Sequence, residues 1–521
     1  MQSQRGNGAV ALLKALRAGG ARICFANPGT TELTLVDALA EVPEIRSVLS
    51  LFEGVCTGAA DGFARVSGEV PLTLLHLGPG FANGIANLHN ARRAHSGIVN
   101  IIGDHAQWHL AYDAPLTSDI RSLASPVSRA VVYMDDVARI GADAASVLEA
   151  AAGAPGGPAT LIVPTDIMDA KVDAPPVPVI APARRRTVEA DRIADGAQAL
   201  RDASDIILLL GGDALVEAGQ RAAAAIVGKV GGRVLMEPYP AIVPLGGDLP
   251  PIERQAYFPD DVLRQMGDAL VVTAGARVPI SYFGYEGYPS QLVPDDRLFT
   301  LSDLDEDGVA ALEALAAHLD AAPGIAAPPV KPVTPPVAEN TALTPMLIVE
   351  SVIERLPENA IVSMEGSTLG GPWLREAHRA RRHRVMTNTG GAIGQGLPCA
   401  TGAALAAPGT RVVALQSDGS GHYTLQALWT MAREKLPVTI VIAANHRYGI
   451  LQTELNRVDA PLEDPVIASL TRLDNPRADW TALAAGYGVE AVRVTTVGDF
   501  NAALERSLAS DLPLLIQAEL P

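Results

Sequence analysis

The chain has 521 residues, is 48% hydrophobic and 19% charged, and so is a large folded protein and not a disordered one, with room for about two to four domains. A formal net charge of -18 argues against nucleic acid or an anionic membrane as the main partner, though not against one bound phosphate group. Three cysteines, Cys24, Cys56 and Cys399, stand far apart without metal-binding spacing, which excludes a disulfide framework and fits a reducing compartment. The opening stretch, MQSQRGNGAVALLKALRAGG, reads as an amphipathic helix and not as a secretory signal, and no apolar run reaches membrane-spanning length. A soluble cytoplasmic protein without a membrane partner is expected.

Two proline- and alanine-rich stretches, 173–186 and 321–345, read as linkers. They separate blocks 1–172, 187–322 and 341–521. Each block alternates short apolar strands with helical stretches. The first holds ARICFANPG, LTLLHLGPG, SGIVNIIGD and PATLIVPTD. The second holds SDIILLLGGDA, GGRVLMEP, DALVVTAGA and RLFTLSD. The third holds AIVSMEG, RVVALQSDG, PVTIVIAAN and PLLIQAEL. Near-continuous apolar strands that end at Gly, Asp, Asn or Ser indicate parallel strands buried on both faces, with ligands at their carboxyl ends. The expected fold class is α/β, with three doubly wound parallel-sheet domains.

In the third block, Asp418 follows one strand in QSDGSGHYTLQALW and Asn445 follows the next in VIAANHRYGIL, with an amphipathic helix between. An Asp in such a stretch is by default turn chemistry. In a parallel βαβ unit, however, the two strand ends lie side by side, and an Asp carboxylate and an Asn amide oxygen are hard ligands suited to Mg²⁺ or Ca²⁺ shared with phosphates. The backbone N–H groups of Gly419, Ser420 and Gly449, with the Ser420 hydroxyl, are candidates to hold those phosphates. The pattern resembles the diphosphate-binding motif of thiamine diphosphate enzymes. Ser417 replaces the motif's first Gly and Ala444 the first Asn of its closing pair. By this resemblance Asp418, Asn445 and the backbone carbonyl of Arg447 are metal ligands, and Tyr448 belongs to the cofactor site.

SLFEGVCTGAADGFARVSG places Glu53 after a strand and at the head of a helix. Acids are common in first helical turns for reasons of capping alone. The stretch also resembles the Glu-containing segment of the 2-oxo acid decarboxylase and acetolactate synthase superfamily. That likeness implies that Glu53 holds a proton against the thiamine aminopyrimidine. FANPGTTEL resembles the turn that opens that family's cofactor domain and adds Asn27, Pro28 and Gly29 to the cofactor site. LHLGPGFANGIANLHNA resembles its substrate-side loop, and GAPGGPATLIVPTD the end of its first domain. TGGAIGQGLPCATGAALA resembles its pyrimidine cradle. The likeness implies a Gly391 carbonyl facing the aminopyrimidine, Ile393 as the apolar wedge under the cofactor, and Thr368 facing the diphosphate.

Within the superfamily the chain resembles benzoylformate decarboxylase and acetolactate-synthase-like proteins. The implied reaction is decarboxylation of a small-molecule 2-oxo acid through an enamine, giving an aldehyde, or a hydroxyketone when a second carbonyl is attacked. His76 falls at a family proton-relay position, or is an ordinary strand-end histidine. Thr30 falls near the substrate-side hydroxyl. Ser281, Tyr282 or Phe283 falls where benzoylformate decarboxylase has a second histidine. His105, Trp108 and His109 either line the pocket or form an ordinary loop. Ile450 and Leu451 bound the pocket, and the bulk of Ile450 favours a small aliphatic acid. LLLGGDALVEAG lacks the dinucleotide fingerprint, so FAD is not expected. A carboligase of the acetolactate synthase type and a catalytically silent cofactor-binding subunit are the alternatives. The resemblance also implies a homodimer or homotetramer with sites at the subunit interface.

Overall fold

The computed structural model describes residues 6–172, 184–322 and 337–521. The N-terminal sheet has six strands: β1 (Ile23–Asn27), β2 (Arg46–Leu49), β3 (Leu72–Leu75), β4 (Ile98–Asp104), β5 (Val131–Tyr133) and β6 (Pro158–Pro164). Their order is β2-β1-β3-β4-β6-β5, parallel throughout. The middle segment supplies β7 (Ile206–Leu210), β8 (Arg233–Met236), β9 (Val243–Leu245), β10 (Glu253–Arg254), β11 (Leu270–Ala274) and β12 (Leu298–Ser302). All but β9 form a parallel sheet in the order β10-β8-β7-β11-β12. The C-terminal sheet contains β13 (Ala360–Met364), β14 (His383–Met386), β15 (Val412–Ser417), β16 (Val438–Ala444), β17 (Glu490–Val494) and β18 (Leu514–Glu519). Its order is β17-β18-β16-β15-β13-β14-β9, and β9 crosses over from the middle segment to pair antiparallel with β14.

The central strands β4, β6, β7, β13 and β16 are buried along their whole length. Helices cover both faces, so apolar side chains are needed on both, and these strands read as unbroken apolar runs. Strand carboxyl ends are where the polar residues gather, and the ends of β1, β3, β15 and β16 carry the site.

The N- and C-terminal units are locked by two helices, Glu53–Ser67 and Gly396–Ala406. Their backbones nearly touch: a Cβ on Gly402 would lie 1.9 Å from the Ala59 carbonyl oxygen, and one on Gly62 would lie 2.2 Å from that of Cys399. Gly402→Ala is therefore expected to destabilise the protein by about 1–3 kcal/mol, read as a lowered Tm. Beside this crossing, Arg65 grips Asp61 with Nε and Nη2 at 2.8 and 2.6 Å, both side chains being buried. Its Nη1 also donates to the carbonyls of Ala241 and Thr387, and its Nη2 to the Thr389 hydroxyl. One guanidinium thus ties together the helix, the middle segment and the C-terminal unit, all five donors finding acceptors in a site where an unpaired charge would be costly.

At the end of β8, the Glu237 carboxylate accepts the Gly212 N–H at 3.0 Å. Burial pushes its pKa up to about 7, with the Gly212 bond and nearby Arg277 opposing the rise only in part. The unfolded chain ionises near the ordinary value of 4.5. Between those values the folded protein keeps a proton that the unfolded chain has released, so this group lowers stability as pH rises through that window. Glu237→Gln keeps the shape without the charge. Its Tm is expected to exceed that of the parent at pH 8 and to match it near pH 4.5, in melts across that range.

Candidate active site

Strands β15 and β16 are neighbours in parallel register, with Ser417 opposite Ala443. The turns that follow bring Asp418 and Asn445 together. Asp418 is 3% exposed. Its Oδ1 accepts the Gly419 N–H at 2.9 Å and its Oδ2 the His446 N–H at 2.7 Å. Burial raises its pKa above the ordinary carboxyl value, against the pull of those two N–H groups and of His446 and His422. Asn445 donates from Nδ2 to the Thr368 hydroxyl at 3.1 Å, and its Oδ1 accepts the Arg447 N–H. Ser417, the departure from the motif, has extended backbone at φ -101° and needs no glycine. Room for its side chain comes from across the strand: a Cβ on Gly366 would lie 2.3 Å from Ser417 Oγ. Ser420 donates to Gln416 Oε1 at 2.8 Å, so its hydroxyl proton is used inside the protein. The Tyr448 ring lies over Gly419, with Cε1 2.8 Å from where a Cβ would sit. Gly449, Ile450 and Leu451 open the helix Gly449–Arg457, and Ile450 and Leu451 are exposed.

The second half of the site comes from the ends of β1 and β3. Asn27 ends β1, Pro28 and Gly29 form the turn, and exposed Thr30 begins a short 3-10 helix, Thr30–Glu32. His76 follows β3 and caps the helix Leu77–Ala94. Glu53 is the first residue of its helix; its Oε2 accepts from Asn83 Nδ2 at 3.0 Å. Glu53 is half-buried, less enclosed than its apolar sequence setting suggests, because a first-turn side chain projects beyond the helix packing. Glu53 and His76 meet over Gly80, where a Cβ would lie 2.9 Å from Glu53 Oε1 and 3.2 Å from His76 Cβ. The halves are strapped together by Asn87, whose Nδ2 donates to the Gly54 carbonyl at 2.8 Å and the Gly394 carbonyl at 3.3 Å. Asn90 also bonds both the N–H and the carbonyl of Ala392. Gly391, at φ +78°, and half-buried Ile393 flank this strap.

Residues 6–123 match the description "Thiamine pyrophosphate enzyme, N-terminal TPP binding domain", and residues 371–518 match its C-terminal counterpart. The acetolactate synthase large subunit-like protein IlvX of Mycobacterium tuberculosis is 44% identical over 519 residues, 99% of each chain. The chain belongs to the thiamine pyrophosphate enzyme family. Benzoylformate decarboxylase of Pseudomonas aeruginosa is 28% identical across 96% of each chain. The thiamine diphosphate-dependent 4-hydroxybenzoylformate decarboxylase of Rhodococcus jostii RHA1 superposes with a TM-score of 0.85 at 27% identity, covering 98% of this chain and 99% of that one. The three-sheet α/β architecture and the enzyme class, decarboxylase or carboligase, follow from these relationships.

Two polar residues of this thiamine pyrophosphate enzyme, Glu365 and Glu32, have no predicted role in the sequence. Glu365, after β13, is 2% exposed and accepts the N–H groups of Gly394, Gln395 and Gly396 at 2.7–3.0 Å, plus Gln416 Nε2 at 2.8 Å. Burial raises its pKa, and those four donors oppose the rise. Since Gln416 also accepts from Ser420, Glu365 connects the loop around Gly391 to the Asp418 turn. Glu32, fully buried, holds His76. Among Ser281, Tyr282 and Phe283, it is Tyr282 whose hydroxyl lies against Gly391, 1.9 Å from where a Cβ would be. The Tyr282 ring packs on Tyr239 and Tyr257, whereas Ser281 bonds to Pro289 in its own loop. The His109 ring meets those of His105 and Trp108 edge-on and lies tilted against Tyr112, and Trp108 and Tyr112 are more than 70% exposed. The only sequence signal for Glu32 and Glu365 is an acid directly after a strand or turn motif.

The residues present fit the cofactor. Asp418, Asn445 and Thr368 offer hard oxygens at adjoining strand ends, and glycines line both halves. Among the described residues no three His, Cys, Asp or Glu side chains cluster to hold a metal alone. A metal here would need oxygen donors of other kinds, such as the Asn445 amide, hydroxyls, backbone carbonyls or a phosphate.

Proposed function

We propose that the enzyme decarboxylates a small aliphatic 2-oxo acid to an aldehyde. In this reading thiamine diphosphate would lie between the N-terminal half of one copy and the C-terminal half of another, and Mg²⁺ or Ca²⁺ on its diphosphate would be held by Asp418, Asn445 and the Arg447 backbone carbonyl. The convergence of Glu53 and His76 on Gly80 carries the reading, because it puts two proton-handling side chains at one opening. The cofactor supplies, when bound, a nucleophilic carbon and a sink for the electrons released with carbon dioxide. Glu53 holds a proton against the aminopyrimidine ring, and the Gly391 carbonyl and Ile393 orient that ring. Thr368, Gly419, Ser420, Tyr448 and Gly449 surround the diphosphate. Asn27, Pro28 and Gly29 shape the opposite wall. His76 moves a proton to or from the reacting substrate, and the Thr30 hydroxyl binds its carboxylate. Ile450 and Leu451, which protrude from the first turn of their helix, limit the acyl group.

The working unit in this reading is a pair or tetramer of identical copies, each Glu53 serving the partner's Asp418. Exposed Leu33, Val36 and Leu51 beside the first half, and Tyr423, Ile450 and Leu451 beside the second, support it, since such apolar side chains gain from being covered. The three free, buried thiols fit a cytoplasmic setting. Among the described residues no helix is long and apolar enough to cross a membrane.

A second reading, ligation of the 2-oxo acid to another carbonyl, is favoured by the 44% identity to an acetolactate synthase-like protein. One experiment separates them. The enzyme is given thiamine diphosphate, Mg²⁺ and, in turn, pyruvate, longer aliphatic 2-oxo acids and benzoylformate. An aldehyde from an aliphatic acid supports the first reading, and a hydroxyketone supports the second. Aldehyde from benzoylformate alone removes the size argument from Ile450. No carbon dioxide from any acid rejects both.

A further inference from the structure

Residues from three neighbouring strand ends meet around one histidine ring. Glu32, 0% exposed, lies past the end of β1. Its Oε2 is 2.8 Å from His76 Nδ1, just past β3, and also accepts the Gly29 N–H at 2.9 Å. Its Oε1 accepts the Thr31 hydroxyl at 2.7 Å, and that hydroxyl is itself 3.3 Å from His76 Nδ1. Two glycines make the approach feasible. A Cβ on Gly29 would lie 2.1 Å from His76 Nδ1, and one on Gly103, in β4, would lie 2.1 Å from Glu32 Oε1. Any side chain at either position would push the pair apart. The other carboxylates near this pair are Glu53, across Gly80 from His76, and Asp104, which lies close enough to Glu32 for their charges to repel.

We infer that Glu32 is the positioning residue for His76, fixing the imidazole with its proton on Nδ1 and leaving Nε2 for the substrate. A carboxylate only accepts hydrogen bonds, and the Gly29 N–H and Thr31 hydroxyl both donate to Glu32, so the ring nitrogen that touches it is the third donor. In a neutral imidazole the other nitrogen is then the base. Nε2 makes no hydrogen bond among the described residues, and 23% of the side chain is exposed. Thus one nitrogen is committed to the protein and the other is open to the site. The inference rests on the proposed role of His76 for its catalytic consequence, but not for the tautomer.

The test uses the full-length protein with ¹⁵N-labelled histidine, without cofactor. His76 is one of ten histidines, and comparison with His76→Asn assigns its signals. Nitrogen shifts at a pH where the ring is neutral are expected to show a protonated Nδ1 and a bare Nε2 in the parent. An Nε2–H tautomer there overturns the inference, and this arm needs neither turnover nor a folded variant. In Glu32→Gln the tautomer is expected to become mixed. Its kcat should fall about 10- to 100-fold, the range for losing the partner that orients a metal-bound histidine, with substrate KM and cofactor affinity within about twofold. A fall in cofactor affinity equal to the fall in activity would mean a merely structural role. If the parent shows the Nδ1–H tautomer but consumes no 2-oxo acid, the functional reading fails while the tautomer assignment stands.

Discussion

A Glu53→Gln enzyme is expected to lose about 100- to 10,000-fold in turnover while still taking up thiamine diphosphate and Mg²⁺. The size of the loss is that of removing one positioned acid–base group. Gln keeps the length and can still meet Asn83, whose Nδ2 now donates to Glu53 Oε2, so helix capping and packing change little. What Gln lacks is the ability to take and hold a proton against the aminopyrimidine ring. Cofactor affinity should survive because, in the proposed function, the diphosphate and metal are held at the other half of the site. Steady-state turnover paired with calorimetric cofactor titration separates the two. Full activity in this variant would falsify the thiamine mechanism, and loss of binding in step with activity would make Glu53 a structural residue.

Asp418→Ala should show the opposite pattern: cofactor affinity in the presence of Mg²⁺ falls on the order of 100-fold or more, at or beyond the top of the range for losing even an outer partner of a metal site. The two N–H groups of Gly419 and His446 pin both carboxylate oxygens and aim them before any ligand arrives. Burial works against the bare carboxylate, and a cation relieves that cost, which is why the effect should depend on the metal. Titrations with and without Mg²⁺, on parent and variant, provide the check. If the parent binds cofactor equally well without a divalent ion, Asp418 has no metal role. Thermal melts of the unliganded variant show whether the fold persists.

The central strands were legible because burial on both faces leaves nothing but apolar residues to read. Of the edge strands, only β12, within RLFTLSD, was legible. β2 carries Arg46, β10 is the pair Glu253–Arg254, and β17 holds Glu490 and Arg493. Such segments become strands only through the partner they pair with. The crossing of β9 into the C-terminal sheet has the same origin, since a three-residue segment carries no periodic signal.

The chain's own order of residues determined the Asp418–Asn445 pair and the place of Glu53 at a helix head. In each case the residue type and its position next to a strand or helix end are local facts. Asp61 and Arg65 were also visible as text, but their task was not. An i,i+4 ion pair looks like ordinary helix chemistry until the guanidinium is seen reaching Ala241 and Thr387. Only the tertiary structure could decide the roles of Glu32, Glu365 and Tyr282. Glu32 needs His76 from another strand end, Glu365 needs three consecutive N–H groups almost thirty residues away, and Tyr282 needs the bare backbone of Gly391. A carboxylate or a phenol takes its chemistry from what it touches, and here those contacts are made by folding between segments far apart in the chain.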